Sequence, residues 1–474
     1  MTRRVRSVLL LSAACSALSA CPSPSTPTRA ASPPPVPPEA APWALAVSVY
    51  PLDGGARALL LPRQPERFAA AVLFPVDAAT DEPPSLEGLT RFMLEAALLE
   101  TEGDDDRAAG PARRALLLGG AIHAYDDGAV AGWWVEGPER AGPGLLRLLR
   151  DVALSPRFPA TRIQARAEMA REELAQTHTD LALRGLGWAV GLALGAGRPL
   201  ADGPLDGTLA RLHREDLARA HARLVTPARA VVAVEGVAPD LVAQIFRGWT
   251  APPAPPPLAA GCAPAVAYQA WVAGPDGDAR VVIGVPAPGP GDADRAALEE
   301  LLAEADTHGV VGGPRVTLAD RGARSVLVLE SDGLAPDALE PVERWLADLG
   351  RALPGEAAAA PLGPRLRRAE LRVRSEHALA RLTSAGRAAL GLLDGEATAA
   401  PGASALAITT LPADAAARAR VLRALRDPDR RVRVAVGPDE ARRRLELWGP
   451  VVNATRATSL CARPSGDGGD AGTR

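Results

Sequence analysis

The sequence contains no lysine, so all 53 of its basic residues are arginine. That absence excludes a Walker A phosphate loop, a Schiff-base amine and a Ser-x-x-Lys acyl enzyme, each of which requires the amine. Gly-x-Ser-x-Gly is also missing, and with it the strained serine turn of an α/β-hydrolase. Charge of one sign is absent too: the formal charge is −3, and −6 once Arg3, Arg4 and Arg6 leave with the leader described below. A mildly acidic body without a basic cluster argues against nucleic acid as a partner. The 46 prolines and 45 glycines, with a high alanine content, make a GC-rich genome the simpler source of the arginine bias.

Long apolar runs are confined to the first residues. Arg3, Arg4 and Arg6 precede an apolar stretch over 8–18 that is too short to span a bilayer. Leu18-Ser19-Ala20-Cys21 matches a lipobox, which predicts a lipoprotein signal over 1–21 with a lipid on the Cys21 thiol. An ordinary secretory signal cut near the same place is the alternative reading. Pro22 in place of aspartate leans the expected location from the inner to the outer membrane, facing the periplasm. Residues 22–42 are proline-dense, favour extended polyproline conformation and read as a tether.

Cysteine is scarce. Cys15 leaves with the signal and Cys21 is lipidated, which leaves Cys262 and Cys461. In an exported protein that pair suggests a disulfide joining the 251–266 linker to the tail, with two free buried thiols as the alternative.

The body is too long for one hydrophobic core. Strand-like runs are expected over 44–50, 57–61 and 68–76, followed by an amphipathic helix over 85–101 with Leu89, Phe92 and Met93 on its apolar stripe. A second helix contains Leu145, Leu149 and Val152 and stops at Pro156. Further helices are expected over 161–177, 184–194 and 214–224, then a strand over 230–234. The proline-rich segment 251–266 reads as a linker between an N-terminal domain (43–250) and a C-terminal domain (267–460), with 461–474 a flexible tail. Beyond the linker the plan restarts, with strands over 268–272 and 279–286 and a helix over 292–305. The strands at 68 and 279 are offset by 211 positions and the helices at 85 and 292 by 207, which reads as a duplication. No repeat of roughly 20–50 residues is visible, so the chain is not a solenoid.

Gly88-Leu89-Thr90-Arg91-Phe92-Met93-Leu94-Glu95, with Glu172-Glu173 downstream, resembles the zinc helix of the insulinase, pitrilysin and mitochondrial processing peptidase family. That family carries an inverted H-x-x-E-H motif on one helix face and a third ligand on a later helix. Gly119-Gly120-Ala121-Ile122-His123-Ala124-Tyr125, Gly207-Thr208, Leu212-His213-Arg214-Glu215-Asp216-Leu217 and Thr226-Pro227 follow in the family's order. The resemblance implies an α+β fold of two homologous domains, each a mixed sheet with helices on one side, together forming a half-clamshell. It also implies that the site is degenerate: Arg91, Leu94 and Glu95 stand where the first histidine, the catalytic glutamate and the second histidine belong. Glu172 leaves 76 residues after Glu95 and Glu173 leaves 77, so spacing does not separate them as equivalents of the third ligand.

Arginine repels zinc and cannot coordinate it, and leucine cannot act as the general base. The expected replacement is an Arg–carboxylate cluster, with Arg91 paired to Glu95 at i,i+4 and within reach of Glu172 or Glu173. The plainer alternative is a set of ordinary exposed helix residues. In the second half, Arg315 resembles the family's substrate-holding arginine, while Arg324 falls where its tyrosine is expected.

The expected function is that of a non-catalytic lipoprotein subunit without zinc or other cofactor. It would complete the chamber of a peptidase whose active homologue keeps the motif, meeting peptide substrate only within that complex. Two alternatives stand beside it: a metallopeptidase with a rearranged site built from His123, Glu95 and Glu172 or Glu173, and a structural or assembly factor at the outer membrane. His123 with Asp126 and Asp127 reads better as a turn. His213 and His221, eight residues apart, read as solvated helix residues, and Asp104-Asp105-Asp106 as a solvated charge run.

Overall fold

The short strands of the first half follow one another as β1 (Trp43–Leu45), β2 (Ser48–Pro51), β3 (Arg57–Leu61) and β4 (Arg67–Pro75). The computed structural model describes residues 43–454, apart from 46, 63–65, 78–80, 84–85, 102–109, 178, 197, 201–202, 205, 251–268, 275–278, 291, 308–313, 334–336, 350–377, 391–396, 399–405 and 409–414. The leader, the tether, the 251–266 linker, Asp104 to Asp106, Cys21, Cys262, Cys461 and the tail lie outside the described residues.

The first half continues with α1 (Leu89–Ala96), α2 (Pro111–Leu117), β5 (Ala121–Asp126), β6 (Val130–Pro138), α3 (Gly142–Leu154), α4 (Ala160–Thr177) and α5 (Thr179–Ala193). It closes with α6 (Asp206–Leu209), α7 (Arg214–Leu224), β7 (Val231–Glu235) and α8 (Pro239–Ile245). In the second half come β8 (Gln269–Ala273), β9 (Arg280–Ala287), α9 (Arg295–Thr307), β10 (Arg315–Arg321), β11 (Arg324–Asp332) and α10 (Leu339–Asp348). Then follow α11 (Ala378–Ala389), β12 (Ala397–Thr398), β13 (Leu406–Ile408), α12 (Ala415–Arg426), β14 (Val432–Gly437), α13 (Asp439–Leu445) and β15 (Val451–Asn453).

Two six-stranded mixed sheets result, ordered β2-β3-β7-β4-β6-β5 and β15-β8-β14-β9-β11-β10. In each, the late strand inserts parallel to the first long strand and antiparallel to the second: β7 between β3 and β4, β14 between β8 and β9. The rung Ala58–Val232–Val72 has its counterpart in Trp271–Ala435–Val281. Both rungs face their own half's helices. The duplication expected from the 211-residue offset is thus present strand for strand. Only the outermost strand departs, because β2 lies antiparallel to β3 and β15 parallel to β8.

The central strands are apolar on both faces, as strands covered on both sides must be. β4 buries Phe68, Ala70, Val72 and Phe74 against the first half's helices and Ala69, Ala71 and Leu73 on the opposite face. What covers the opposite face is α11 of the second half, through Leu382 and Ala385. Reciprocally, α5 of the first half lays Trp188, Val190 and Leu192 across Val282, Val326 and Val434 of the second sheet. The expected strand over 44–50 is two strands: β1 joins a separate three-stranded sheet with β13 and β12, while β2 edges the first sheet. The expected helix over 85–101 is shorter, for a reason that belongs to the site.

Candidate functional site

Gly88 takes a left-handed φ of 74°, and a Cβ there would fall 2.0 Å from the Gly203 carbonyl oxygen, so helix α1 starts only after it. The first-turn amides are held by Glu82, whose carboxylate accepts from Gly88 N at 2.9 Å and Thr90 N at 2.8 Å. Arg198 donates to the Glu82 carbonyl at 2.7 Å, and Thr208 Oγ1 donates to the Glu87 carbonyl at 2.9 Å. Glu82 is buried, and burial pushes its carboxyl up to about 7 against the two amides that favour the charged form. The apolar face of α1, with Leu89, Phe92, Met93 and Leu94, is sealed in the first core. Trp133 Nε1 donates to the Leu94 carbonyl at 2.9 Å, fixing that face against β6. The Leu94 side chain is fully buried.

The opposite face carries the charges. Arg91 Nε donates to Glu95 Oε1 at 3.1 Å, and Arg166 Nη2 on α4 donates to Glu95 Oε2 at 3.1 Å. Arg166 Nη1 lies 3.6 Å from Glu173 Oε2, one heptad along the same helix face. The four side chains form a chain of alternating charge, Arg91–Glu95–Arg166–Glu173. Glu173 enters it through Arg166 and not, as expected, through Arg91; both Glu172 and Glu173 are exposed to solvent. Arg166, which the sequence reading passed over, is the cation that joins the two helices. Its i,i+7 spacing to Glu173 was the available signal.

Zinc does not fit these side chains. Arg91 and Arg166 bring two permanent cations, Leu94 offers no donor atom, and both carboxylates are taken by guanidiniums. Among the described residues no three His, Cys, Asp or Glu side chains gather closely enough to hold a metal. His123 is exposed and stacks on Trp134 with ring centroids 4.8 Å apart, on β5. Asp126 and Asp127 shape the β5–β6 turn: Asp126 Oδ1 accepts from Gly128 N at 2.9 Å, and Asp127 Oδ1 from Val130 N at 2.8 Å. His213 N donates to Asp216 at the start of α7, while His221 turns inward, its Nε2 2.9 Å from the Ala153 carbonyl and its ring against Phe158 and Trp133. These contacts seat the His221 ring against the edge of the core and not in solvent as expected, and burial pushes its imidazole down to about 4.

Arg315 and Arg324 sit at opposite ends of the β10–β11 hairpin, Arg315 facing Glu330 and Arg324 facing Arg321 in the register. Six paired positions separate them, about 20 Å at strand spacing, so they do not converge on one group. Arg315 is exposed, 3.7 Å from Glu330. Arg324 holds the two halves together, donating to the Leu194 carbonyl at 3.1 Å and to Asp77 at 3.3 Å. The tip of the same hairpin docks on the β5–β6 turn, where Gly322 N donates to the Gly128 carbonyl at 2.9 Å. Arg387 of α11 reaches across to Asp127. Between these contacts lies a cleft of about 320 Å³, lined by Glu82, Thr90 and Arg91 on one side and by Thr317 to Arg321 on the other.

No protein-family model matches the sequence, and no curated protein matches it. Solved structures do. A protease from Helicobacter pylori superposes with a TM-score of 0.64 at 13% identity, over 84% of this chain and 100% of that one. A protein of Alicyclobacillus acidocaldarius described as M16-like peptidase gives 0.54 at 13% identity, over 83% and 98%. An M16 peptidase inactive domain from Pseudomonas fluorescens gives 0.55 at 18% identity, over 83% and 98%. The fold is therefore the two-domain α+β fold of M16-like peptidases.

Proposed function

We propose that this chain is a non-catalytic, insulinase-type lipoprotein subunit that completes the chamber of a zinc peptidase. An active homologue with an intact H-x-x-E-H helix supplies the metal and the general base, and this chain contributes two more domains to the enclosure. The observation that carries the reading is the Arg91–Glu95–Arg166–Glu173 chain at the positions where zinc and its ligands belong in the family. Two guanidiniums hold the carboxylates that a metal would otherwise neutralise. The buried Leu94 supports the same conclusion, because a charged carboxylate in its place would have to leave water for an apolar core. The likeness to an M16 domain described as inactive is consistent with it. The lipid on Cys21 would fix the complex to the outer membrane facing the periplasm, with residues 22–42 as the spacer.

Co-expression with an intact-motif homologue from the same genome tests the reading. A stable complex is expected on size-exclusion chromatography, with hydrolysis of a quenched fluorescent peptide only when both chains are present. Hydrolysis by this chain alone would refute it, as would an active homologue indifferent to its addition.

A further inference from the structure

The Arg91 guanidinium uses only its Nε in the charge chain. Its side chain is 38% exposed and lines the interdomain cleft, and among the described residues its two Nη atoms have no hydrogen-bond partner. The acids of the cleft wall are already engaged. Glu82 caps α1, and Asp320 binds Arg295 Nη1 at 2.9 Å. Asp127 holds its own turn and Arg387. Asp126 holds Gly128 N and lies within the fields of Arg321 and Arg91. The far wall is β10, which among the described residues is the terminal strand of its sheet, with no strand beside its outer amide and carbonyl groups. Thr317 and Leu318 face the opening and are not buried.

We infer that this cleft binds the C-terminal end of an extended peptide, its α-carboxylate on the Nη atoms of Arg91 and its backbone along the outer edge of β10. A planar guanidinium presents two parallel N–H groups to one carboxylate, and an open strand edge recognises backbone irrespective of side chains. The volume is at the lower end of ordinary ligand pockets, enough for the last few residues and no more. The inference rests on the non-catalytic reading, because a peptide that is held by its terminus at this position is not being cut there. In the assembled peptidase the site would retain products and not substrates.

The test uses residues 22–474 and two random-sequence hexapeptide libraries, one ending in a free α-carboxylate and one amidated, compared by equilibrium dialysis and mass spectrometry. A charge-assisted bidentate pair predicts about ten- to a hundredfold preference for the free carboxylate. Arg91→Gln, at a half-exposed site where folding is checked by circular dichroism, is expected to abolish that preference. Equal retention of both libraries would overturn the inference, and so would a preference that survives Arg91→Gln. Zinc and peptide hydrolysis measured on the same sample separate the two failures. Metal or cleavage sinks the non-catalytic reading; a metal-free, inert protein without carboxylate preference sinks only this one.

Discussion

Each half of the molecule carries an Arg–Glu pair at i,i+4 on the helix that follows its second long strand, and the two pairs live in opposite surroundings. Arg91 and Glu95 are 38% and 31% exposed; Arg295 and Glu299 are 5% and 9% exposed. Around Arg295 the second half has built a closed knot, with Asp320 at 2.9 Å, Ser325 Oγ at 2.8 Å and the Pro288 carbonyl at 3.2 Å. In the first half the same motif opens on a cleft and spreads to a second helix through Arg166. One local pattern is therefore closed into a buried knot where water is excluded and half-solvated at the rim of a cleft where it is not. The strand plan alone does not distinguish the two roles.

The comparison can be broken most severely in the second half. Arg295→Leu leaves Asp320 buried without its cation, and the expected loss is about 3–5 kcal/mol, read as the urea midpoint of unfolding. A loss near zero would mean that the knot contributes nothing. The docking of the halves comes next. Gly128 has φ +82° and a Cβ there would lie 2.1 Å from the Asp320 carbonyl oxygen, so Gly128→Ala should cost about 1–3 kcal/mol. It should also speed hydrogen exchange at the Gly322 amide, which Gly128 now holds.

Protonation sharpens the contrast within the first half. Glu82 rises from 4.5 to about 7, so between those values the native state keeps a proton that the unfolded chain has lost, and stability falls as pH rises. Asp81, Glu87 and Asp126, also raised by burial, act in the same direction. His221 drops from 6.5 to about 4, so over that window the unfolded chain holds the extra proton and stability rises with pH. The two slopes oppose each other between about 4.5 and 6.5, each worth roughly 3 kcal/mol at most. Glu82→Gln should uncover the rise and His221→Phe the fall. Parallel profiles for the two variants would contradict the assignment. The smallest effect belongs to the exposed pair: Arg91→Gln should change stability by about 0.5 kcal/mol or less, because half-solvated i,i+4 pairs contribute little.

Much of this was legible in the chain. The order of strands and helices and the restart of the strand plan in the second half follow from periodicity, and the resemblance to a zinc helix pointed to the helix that carries Arg91, Leu94 and Glu95. Three features could not be read that way. Glu82 caps α1 from outside the helix, across a turn, and looks in sequence like one more acid before prolines. His221 faces inward because α7 packs on the core, and a lone histidine on a helix does not announce its face. The exchange of α5 and α11 between the sheets depends on which half each apolar stripe meets, and periodicity reports a buried face without naming what covers it.

The central claim is that guanidiniums have replaced a metal. Elemental analysis of residues 22–474, purified without chelator and dialysed against zinc, addresses it directly. The account predicts zinc far below one equivalent in the wild-type chain; near-stoichiometric zinc, lost in Glu95→Gln, would contradict it.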